Sequence, residues 1–294
     1  MPRKKGRRGQ GLVRAFLTKA LIALVLFPFA YAGFYLVYPN VGAMRERNPG
    51  KTSFMRYRER EWRMKGEHRD IARTWVPLSR ISPSVVKAVI ISEDDKFWTH
   101  EGFDFEALHD AAVKDLRQKK FRYGGSTISQ QLAKNLYLSP GKNLLRKLAE
   151  AILTWRIEHT LTKRRILELY LNVAEWGEGV FGIEAASRAY FHKPASALSP
   201  EQAARLAVIL PNPRKYRPDG SSRYVERQAQ RILSIMARRG EIIEGYDEIM
   251  RGEPSTPAVN APAPDSSGTI SNGSVPEPEP SSASDSLAVE PGKR

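Results

Sequence analysis

The sequence predicts a mainly α-helical domain behind one N-terminal transmembrane helix. Apolar residues in the middle of the chain recur every three or four positions, which is the period of an amphipathic helix. Two such groups are Leu144, Leu145, Leu148 and Ile152, and Ile166, Leu167, Tyr170 and Leu171. We find no segment that alternates convincingly as a β-strand. Residues 20–44 form an uncharged run long enough to cross a bilayer core of roughly 30 Å.

The N-terminal region is predicted to be a basic cytoplasmic tail, residues 1–19, followed by a membrane anchor, residues 20–44. The tail has seven basic and no acidic residues, and the positive-inside rule therefore favours a cytoplasmic N-terminus with the domain on the other side. Basic residues also follow the span, which weakens this argument. A cleaved signal peptide is the alternative, because Ala30-Tyr31-Ala32 resembles a cleavage site. The apolar run continues past that site, which favours an uncleaved anchor.

Three further segments follow the anchor. Residues 45–75 are polar and strongly charged, which is typical of a juxtamembrane connector with some helix. Residues 76–252 have a helical pattern almost throughout and form the predicted domain. Residues 253–294 are rich in Pro, Ser and Glu, and we expect this tail to be disordered because it has too little apolar surface to form a core.

Composition limits the functions that the chain can have. Its 47 basic and 32 acidic residues give a formal net charge of +15. Such an excess favours an anionic partner, which can be nucleic acid, anionic lipid or phosphate. The chain has no cysteine, so disulfide frameworks and thiolate zinc sites are excluded.

The first motif that could support catalysis is ISEDDKFWTHEGFD, residues 91–104. Three consecutive carboxylates precede the ring of Phe97, and both mutual repulsion and apolar shielding raise the pKa of a carboxyl group. Glu93 is therefore a candidate general base at neutral pH. The simpler alternative is a helix start, where acidic residues interact favourably with the helix dipole. A metal site built on His100 is a further alternative, but the spacing matches no common metal-binding pattern.

The second motif is RYGGSTISQQLAKNLYL. Its glycine pair, residues 124–125, predicts a turn, and Ser126 and Thr127 can cap the helix that follows, whose N-terminus could bind an anion. Gln130 and Lys134 then lie one turn apart on one face, with Gln131 beside them. An ordinary capped helix with a polar face is the alternative.

Two further motifs follow. In KNLLRKLAEAILTWRIE, Arg146 and Glu150 are four residues apart and share a helix face, where a weak surface ion pair is the common outcome. In KRRILELYLNVAE, Glu168, Asn172 and Glu175 recur at helical intervals. Packing and helix-end roles explain most of that pattern.

Taken in order, EDDKFWTHEG, GGSTISQQLAKN, RKLAE and KRRILELYLN resemble the signature motifs of the peptidoglycan glycosyltransferases, glycosyltransferase family 51. The resemblance covers about residues 76–218. In layout the chain is most similar to the monofunctional members, which have one membrane anchor and this domain. The resemblance implies a lysozyme-like fold on the outer face of the bacterial cytoplasmic membrane. It also implies polymerisation of lipid II into β-1,4-linked glycan strands with release of undecaprenyl diphosphate.

The resemblance also implies roles for individual residues. Glu93 matches the catalytic base, which would activate a sugar 4-hydroxyl. Because the donor is α-linked and the product β-linked, one inverting displacement is expected. Glu150 matches the second catalytic glutamate. The expected substrate-binding residues are Phe97, Ser126, Gln130, Gln131, Lys134, Arg146 and Lys147.

The partners implied by the family are lipid II, the growing lipid-linked strand, the membrane and other cell-wall synthesis proteins, but not nucleic acid. No obligatory cofactor or protein metal site is expected, although a divalent cation could accompany the diphosphate. The basic stretch RQKKFR, residues 117–122, would suit an anionic membrane surface.

Three competing interpretations remain. A lysozyme-like peptidoglycan hydrolase would need a glutamate but no cationic diphosphate site. A membrane-tethered binding protein for anionic polymers would explain the charge but not the order of the motifs. A bifunctional penicillin-binding protein would use an S-x-x-K motif, which residues 84–87 and 139–142 formally match. Both matches lie inside the glycosyltransferase region, and the remaining tail is too short for a transpeptidase domain.

Overall fold

The computed structural model describes residues 7–118, 125–141 and 143–239. The C-terminal tail, residues 253–294, and most of the basic stretch, residues 117–122, lie outside the described residues, as does Gly124. Within the described part the fold is mainly helical, as the sequence predicts.

Helices make up most of the secondary structure of the described residues. In chain order they are α1 (Arg7–Val37), α2 (Ser53–Met64), α3 (Pro83–Glu93), α4 (Phe105–Gln118), α5 (Ile128–Tyr137), α6 (Leu144–Thr160), α7 (Lys163–Val173), α8 (Ile183–Phe191), α9 (Pro200–Ile209) and α10 (Arg223–Arg239). The short 3₁₀ turns are Gly42–Arg45, Leu78–Arg80 and Ala195–Ala197. The strands are β1 (Ala72–Arg73), β2 (Glu175–Gly177) and β3 (Val180–Phe181).

Side-chain caps fix where several helices begin. Thr127 accepts a hydrogen bond from the backbone N–H of Gln130, and the Gln130 side chain accepts one from the backbone N–H of Thr127. This reciprocal capping box satisfies two N–H groups that have no partner within the helix. Thr162 caps α7 in the same way through one bond. α5 therefore begins at the motif where the sequence predicts a capped helix.

Two groups of packed helices contribute most of the buried core. α3 packs against α9 and α10, and α5 packs against α6 and α7. The apolar residues that predicted α7 are all buried. In α6 the buried face is Ala149, Leu153 and Ile157, whereas Leu144 of the predicted apolar stripe is 86% exposed. The periodicity predicted the α6 helix correctly but not which of its faces is buried.

A small three-stranded sheet lies beside the helices, in the order β1-β3-β2. β1 is parallel to β3, with Ala72 opposite Val180, and β2 is antiparallel to β3 with a bulge. Each strand has only two or three residues, which is too short for an alternating pattern to be visible in the sequence. Gly182 follows β3 at φ +83°, where a Cβ atom would lie 2.8 Å from the Asn172 carbonyl oxygen, so only glycine fits there.

The predicted connector, residues 45–75, packs as part of the domain. α2 contacts α5, and its Trp62 is only 1% exposed. Arg58 donates from Nε and Nη2 to the carboxylate of Glu175 at 2.7–3.1 Å, and β1 pairs with β3. The folded unit therefore begins well before residue 76.

Among the described helices, α1 alone is long and apolar enough to cross a membrane. Its apolar window has a mean hydropathy of 2.2, and none of it is buried inside the protein. Near its C-terminal end, Tyr31 and Tyr35 pack against the core. α1 is thus exposed along its apolar length and packs against the domain near its C-terminal end.

We expect Trp62→Ala to lower the free energy of unfolding by about 3–5 kcal/mol, because it empties a fully packed site between α2 and the domain. Met64→Ala on the same helix is the matched control, since Met64 is 81% exposed; its cost should stay within about 0.5 kcal/mol. Thermal and denaturant unfolding of the two variants measure this. Equal stability of both would show that α2 is not part of the cooperative unit.

Candidate active site

Glu93 is the last residue of α3, and its carboxylate is held between two helices. The chain leaves the helix at Asp94, whose backbone is extended at φ −164° and ψ 75°. Oε2 of Glu93 accepts a hydrogen bond from Nε2 of Gln131 on α5 at 2.8 Å. Oε1 is closed off from solvent and has no hydrogen-bond partner among the described residues. One oxygen is therefore fixed, and the other remains free to accept a proton.

Burial raises the pKa of the Glu93 carboxyl group above its ordinary value. The hydrogen bond from Gln131 and the charge of Lys134 lower this pKa, and the charge of Asp94 raises it further. Burial outweighs the opposing effects because Glu93 forms no ion pair with any of the described cationic side chains. A carboxylate with a raised pKa is a stronger base, which suits it to proton transfer near neutral pH.

The two acidic residues that directly follow Glu93 have structural roles. Asp94 accepts a hydrogen bond from the backbone N–H of Ile128 at 2.9 Å, at the start of α5, and contacts Nε2 of His100 at 2.9 Å. Nδ1 of His100 accepts from the N–H of Gly102, so Nε2 is the nitrogen that donates to Asp94. Asp95 points away and pairs with Arg239 of α10. Asp94 and Asp95 are thus each held by several contacts among the described residues, whereas Glu93 has only the hydrogen bond from Gln131.

The loop after Glu93 is seated closely on α6. Gly102 has φ +95°, and a Cβ atom there would lie 2.8 Å from the Glu158 side chain and 2.9 Å from that of Thr154. Its carbonyl accepts a hydrogen bond from Oγ1 of Thr127 at 2.7 Å. The glycine of the EDDKFWTHEG motif is therefore required both by its backbone conformation and by close approach.

Tyr170 on α7 supports Glu93 through Gln131, and the sequence does not predict it as a site residue. Its hydroxyl donates to Oε1 of Gln131 at 3.1 Å, which orients the amide so that Nε2 faces Glu93. Burial raises the pKa of Tyr170 well above its ordinary value, so its hydroxyl stays protonated as a donor. In the sequence Tyr170 belongs to the apolar stripe of a helix, and its hydroxyl group is the only feature that could have indicated a polar role.

Three cationic side chains surround the second glutamate. Glu150 on α6 is 3% exposed and accepts from Nη1 of Arg146 at 2.5 Å and from Nζ of Lys147. Lys134, on the neighbouring helix α5, is close enough that the charges of Glu150 and Arg146 both affect its pKa. We call Lys134, Arg146, Lys147 and Glu150 the cationic cluster. The Arg146–Glu150 pair is largely buried, unlike the surface pair that its spacing alone would suggest.

The cationic cluster has more positive than negative charge. Three cations face one carboxylate, and within the described part of the chain Lys134 has no ion pair. Burial lowers the pKa of Lys134 below its ordinary value, and the nearby Arg146 adds to this effect while Glu150 opposes it. Nε of Arg146 is buried without a hydrogen-bond partner among the described residues. An unpaired buried donor in a net positive cluster favours an anionic ligand.

Each partner of the Glu93–Gln131 hydrogen bond lines a different cavity. One, of about 520 Å³, is lined by Glu93 and Ser126 together with acidic residues of α4. The other, of about 210 Å³, is lined by Gln131, Lys134 and Tyr170. Glu93 thus lines one cavity while its hydrogen-bond partner Gln131 lines the other.

Three other predicted binding residues have different positions. Ser126 lies in the wall of the larger cavity. Gln130 is 7% exposed, and its amide oxygen is used in the capping box of α5. Phe97 is fully buried, with Nζ of Lys163 4.8 Å from its ring centroid. A buried ring offers no surface to a substrate, so the predicted contact is corrected: Phe97 supports the loop from beneath.

The polar residues of the last motif are structural, as expected. Asn172 accepts from the backbone N–H of Val76 and donates to its carbonyl, each at 2.9 Å, and Glu168 accepts from the N–H of Leu78. These contacts fix the chain before α3. No group of three or more His, Asp or Glu side chains suited to hold a metal ion is found within residues 7–118, 125–141 and 143–239.

Glu93→Gln should stabilise the fold at neutral pH. The folded-state pKa of Glu93 is raised, so wild-type stability falls as pH rises from the ordinary carboxyl range through that raised pKa, and the loss persists above it. The neutral amide carries no such penalty. The excess melting temperature of the variant should therefore be largest near pH 7 and shrink as the pH falls towards the ordinary carboxyl pKa.

Asp95→Asn is the control for this prediction, because it makes the same chemical change at a half-exposed pair with Arg239. It should not stabilise the protein. Thermal unfolding of the three proteins from pH 4 to pH 8 measures the effect, and a Glu93→Gln variant less stable than wild type at neutral pH would contradict it.

Comparison with known proteins agrees with this geometry. Residues 61–237 match the family described as Transglycosylase, a span that includes the α2 residues after Arg60. A protein from Azoarcus sp. is 49% identical over 201 residues, which are 68% of this chain and 87% of that protein. One from Dechloromonas aromatica is 50% identical over 189 residues, 64% and 82% of the two chains. One from Nitrosomonas eutropha is 45% identical over 224 residues, 76% and 91%.

All three relatives carry the name biosynthetic peptidoglycan transglycosylase. The family match covers more than half of the chain and contains all four motifs on which the resemblance was based. That resemblance is thereby confirmed. The chain belongs to the transglycosylase family and is an enzyme that transfers glycosyl groups.

Proposed function

We propose that this protein is a peptidoglycan glycosyltransferase that polymerises lipid II into β-1,4-linked glycan strands and releases undecaprenyl diphosphate. The observation that carries the proposal is a buried carboxylate with one free oxygen, Glu93, next to a net positive cluster on α5 and α6. The names of the relatives support the same substrate class. A base and an anion site side by side are what transfer from a diphosphate-linked sugar requires.

Glu93 is proposed to act as the general base. Its free oxygen takes the proton from the 4-hydroxyl of the acceptor sugar as that oxygen attacks the anomeric carbon of the donor. The bond from this carbon to the diphosphate breaks, and its electron pair leaves with the diphosphate. Attack opposite the leaving group converts an α-linked donor into a β-linked product in one displacement, without a glycosyl-enzyme intermediate.

The cationic cluster is proposed to stabilise the leaving diphosphate. Arg146 can offer its unpaired Nε as well as its guanidinium face, and Lys134 brings a charge that is not already neutralised. Glu150 orients Arg146 and Lys147 without cancelling the cluster's charge. Oriented charges of this kind stabilise the transition state because they need no reorganisation as charge develops. We propose that no cofactor is obligatory; a divalent cation at the diphosphate would add to the same charge.

We propose that α1 anchors the enzyme in the bacterial cytoplasmic membrane, with the N-terminus in the cytoplasm and the domain outside. The helix is long and apolar enough to span, and the short basic segment before it favours the cytoplasmic side. The proposed partners are lipid II, the growing lipid-linked strand, the membrane and other cell-wall synthesis proteins. A peptidoglycan hydrolase would share the glutamate but has no diphosphate to stabilise, so the cationic cluster argues against it.

The direct test is to incubate the purified enzyme with lipid II and size the products. Glu93→Gln should lower the rate of polymer formation by about 10²–10⁴-fold, because an amide cannot accept the proton. Asp95→Asn, the same change two residues away, should retain most activity. A Glu93→Gln enzyme that keeps more than about a tenth of the wild-type rate would remove Glu93 from the base role. Cleavage of finished peptidoglycan without polymer formation would instead identify a hydrolase.

A second prediction separates a diphosphate site from a structural ion pair. Arg146→Ala should lower the polymerisation rate about ten- to a hundredfold, since hydrogen bonds to a charged group contribute roughly 1.5–3 kcal/mol. Arg146→Lys should be impaired as well, because a single ammonium cannot reproduce the planar fork of a guanidinium.

Arg188→Ala is the matched control for Arg146. Arg188 forms the same i,i+4 pair with Glu184 on α8, but it is exposed. Its removal should leave the polymerisation rate unchanged. Unchanged activity in both Arg146 variants would exclude this residue from the diphosphate site.

A further inference from the structure

An arginine of the catalytic domain caps the end of the membrane helix. Arg156 on α6 donates from Nη1 to the carbonyl of Tyr35 at 3.0 Å and from Nη2 to the carbonyl of Val37 at 3.1 Å. Both carbonyls belong to the last turn of α1, where helix geometry leaves carbonyls without a partner. A cation is also favoured at the negative end of the helix dipole. Arg156 therefore satisfies two groups that would otherwise depend on solvent.

Two further arginines fasten the segment that follows α1. Arg45 donates from Nε to the carbonyl of Thr160, the last residue of α6, at 2.9 Å, so each helix end is capped by a side chain from the other segment. Arg165 at the start of α7 donates to three oxygen atoms of residues 44–48 at 2.8–3.0 Å. We call Arg45, Arg156 and Arg165 the anchor clamp.

α6, the helix that carries Arg156, also carries three of the four residues of the cationic cluster. Arg146 lies ten residues before Arg156 on α6, which corresponds to about 15 Å along the helix axis. Leu153 and Ile157 of α6 are buried, so this part of the helix is packed into the core. The distance from the end of the membrane helix to the cationic cluster is therefore set by one continuous, packed helix.

We propose that the anchor clamp positions the cationic cluster at a fixed height above the bilayer, so that it meets the diphosphate of a lipid-linked substrate. The proposal rests on the proposed function. A lipid-linked diphosphate is confined to the membrane surface, whereas a domain on a loose tether presents its cluster at that depth only part of the time. Apparent affinity falls in proportion to the fraction of molecules in the competent orientation. The turnover of complexes that do form is unaffected.

Arg156 is thus a positioning residue, which does not itself touch substrate. Its loss should act on binding from a membrane and not on the chemical step. The test uses the full chain in lipid vesicles that contain lipid II, with KM and kcat measured separately. Arg156→Ala should raise KM about three- to tenfold, as expected for loss of two hydrogen bonds from a charged donor at a partly exposed site, with kcat within about twofold of wild type.

The same enzymes are then assayed in detergent with a short-chain, water-soluble lipid II analogue, which is not confined to a membrane surface. In this assay Arg156→Ala should match wild type. Arg156→Lys should recover part of the affinity in vesicles, because a cation remains at the helix end but donates to fewer carbonyls. Arg227→Ala, which removes an exposed arginine of α10, is the control and should change neither assay.

Each outcome decides the question. A KM increase confined to vesicles, with partial rescue by lysine, supports the positioning role. An unchanged KM in vesicles overturns it, and so does an equal loss in vesicles and detergent, which would mean that Arg156 acts on the site through α6. A wild-type enzyme that forms no polymer in either assay would instead reject the proposed function, independently of Arg156.

Discussion

The site depends on the burial of the Glu93 carboxylate without an ion pair among the described residues. Burial of a carboxylate is costly, and proteins usually offset the cost with an ion pair, which would lower the pKa and make a weak base. In this protein a neutral donor, Gln131, fixes one oxygen, and the hydroxyl of Tyr170 fixes Gln131. The cation that lowers the pKa of Glu93, Lys134, acts only through space. The burial that raises the pKa of Glu93 therefore also lowers the stability of the fold at neutral pH.

Much of the surrounding fold serves to hold this arrangement. Asp94 ties the end of α3 to the start of α5, so the helix that carries the base and the helix that carries its partner cannot move independently. Gly102 lets the next loop lie directly on α6, which carries Arg146, Lys147 and Glu150. Glu93 and the cationic cluster are therefore connected through the hydrogen bonds between the end of α3 and α5 and through the packing of α5 on α6. Small shifts in any of these helices would change the distance between Glu93 and the cationic cluster.

Charge is used in two distinct ways in this protein. Between α2, β2 and the loop after α9, arginines and glutamates balance: Arg58 pairs with Glu175 and Glu61, and Arg214 reaches Glu61. Such pairs are satisfied and join the segment after the anchor to the domain. In the cationic cluster the balance is broken, and a buried donor is left over. Unsatisfied charge is costly in a folded protein, and its presence on α5 and α6 is therefore the observation that supports the proposed diphosphate site.

The sequence by itself determined the helical class, the long apolar N-terminal helix and the four motifs, because apolar period, absence of charge and local residue order are all properties of short segments. Through the family resemblance of those motifs it also predicted Glu93, Lys134, Arg146 and Glu150 as site residues. Only the tertiary structure decided which face of α6 is buried, that Phe97 lies in the core, and that residues 45–75 belong to the domain. It also revealed Tyr170 as the support of the base and Arg156 as the cap of α1. The Tyr170 and Arg156 contacts join segments from about 40 to 120 residues apart in the chain. The sequence does not predict them because the burial and the hydrogen-bond partner of a side chain depend on which distant segment packs against it.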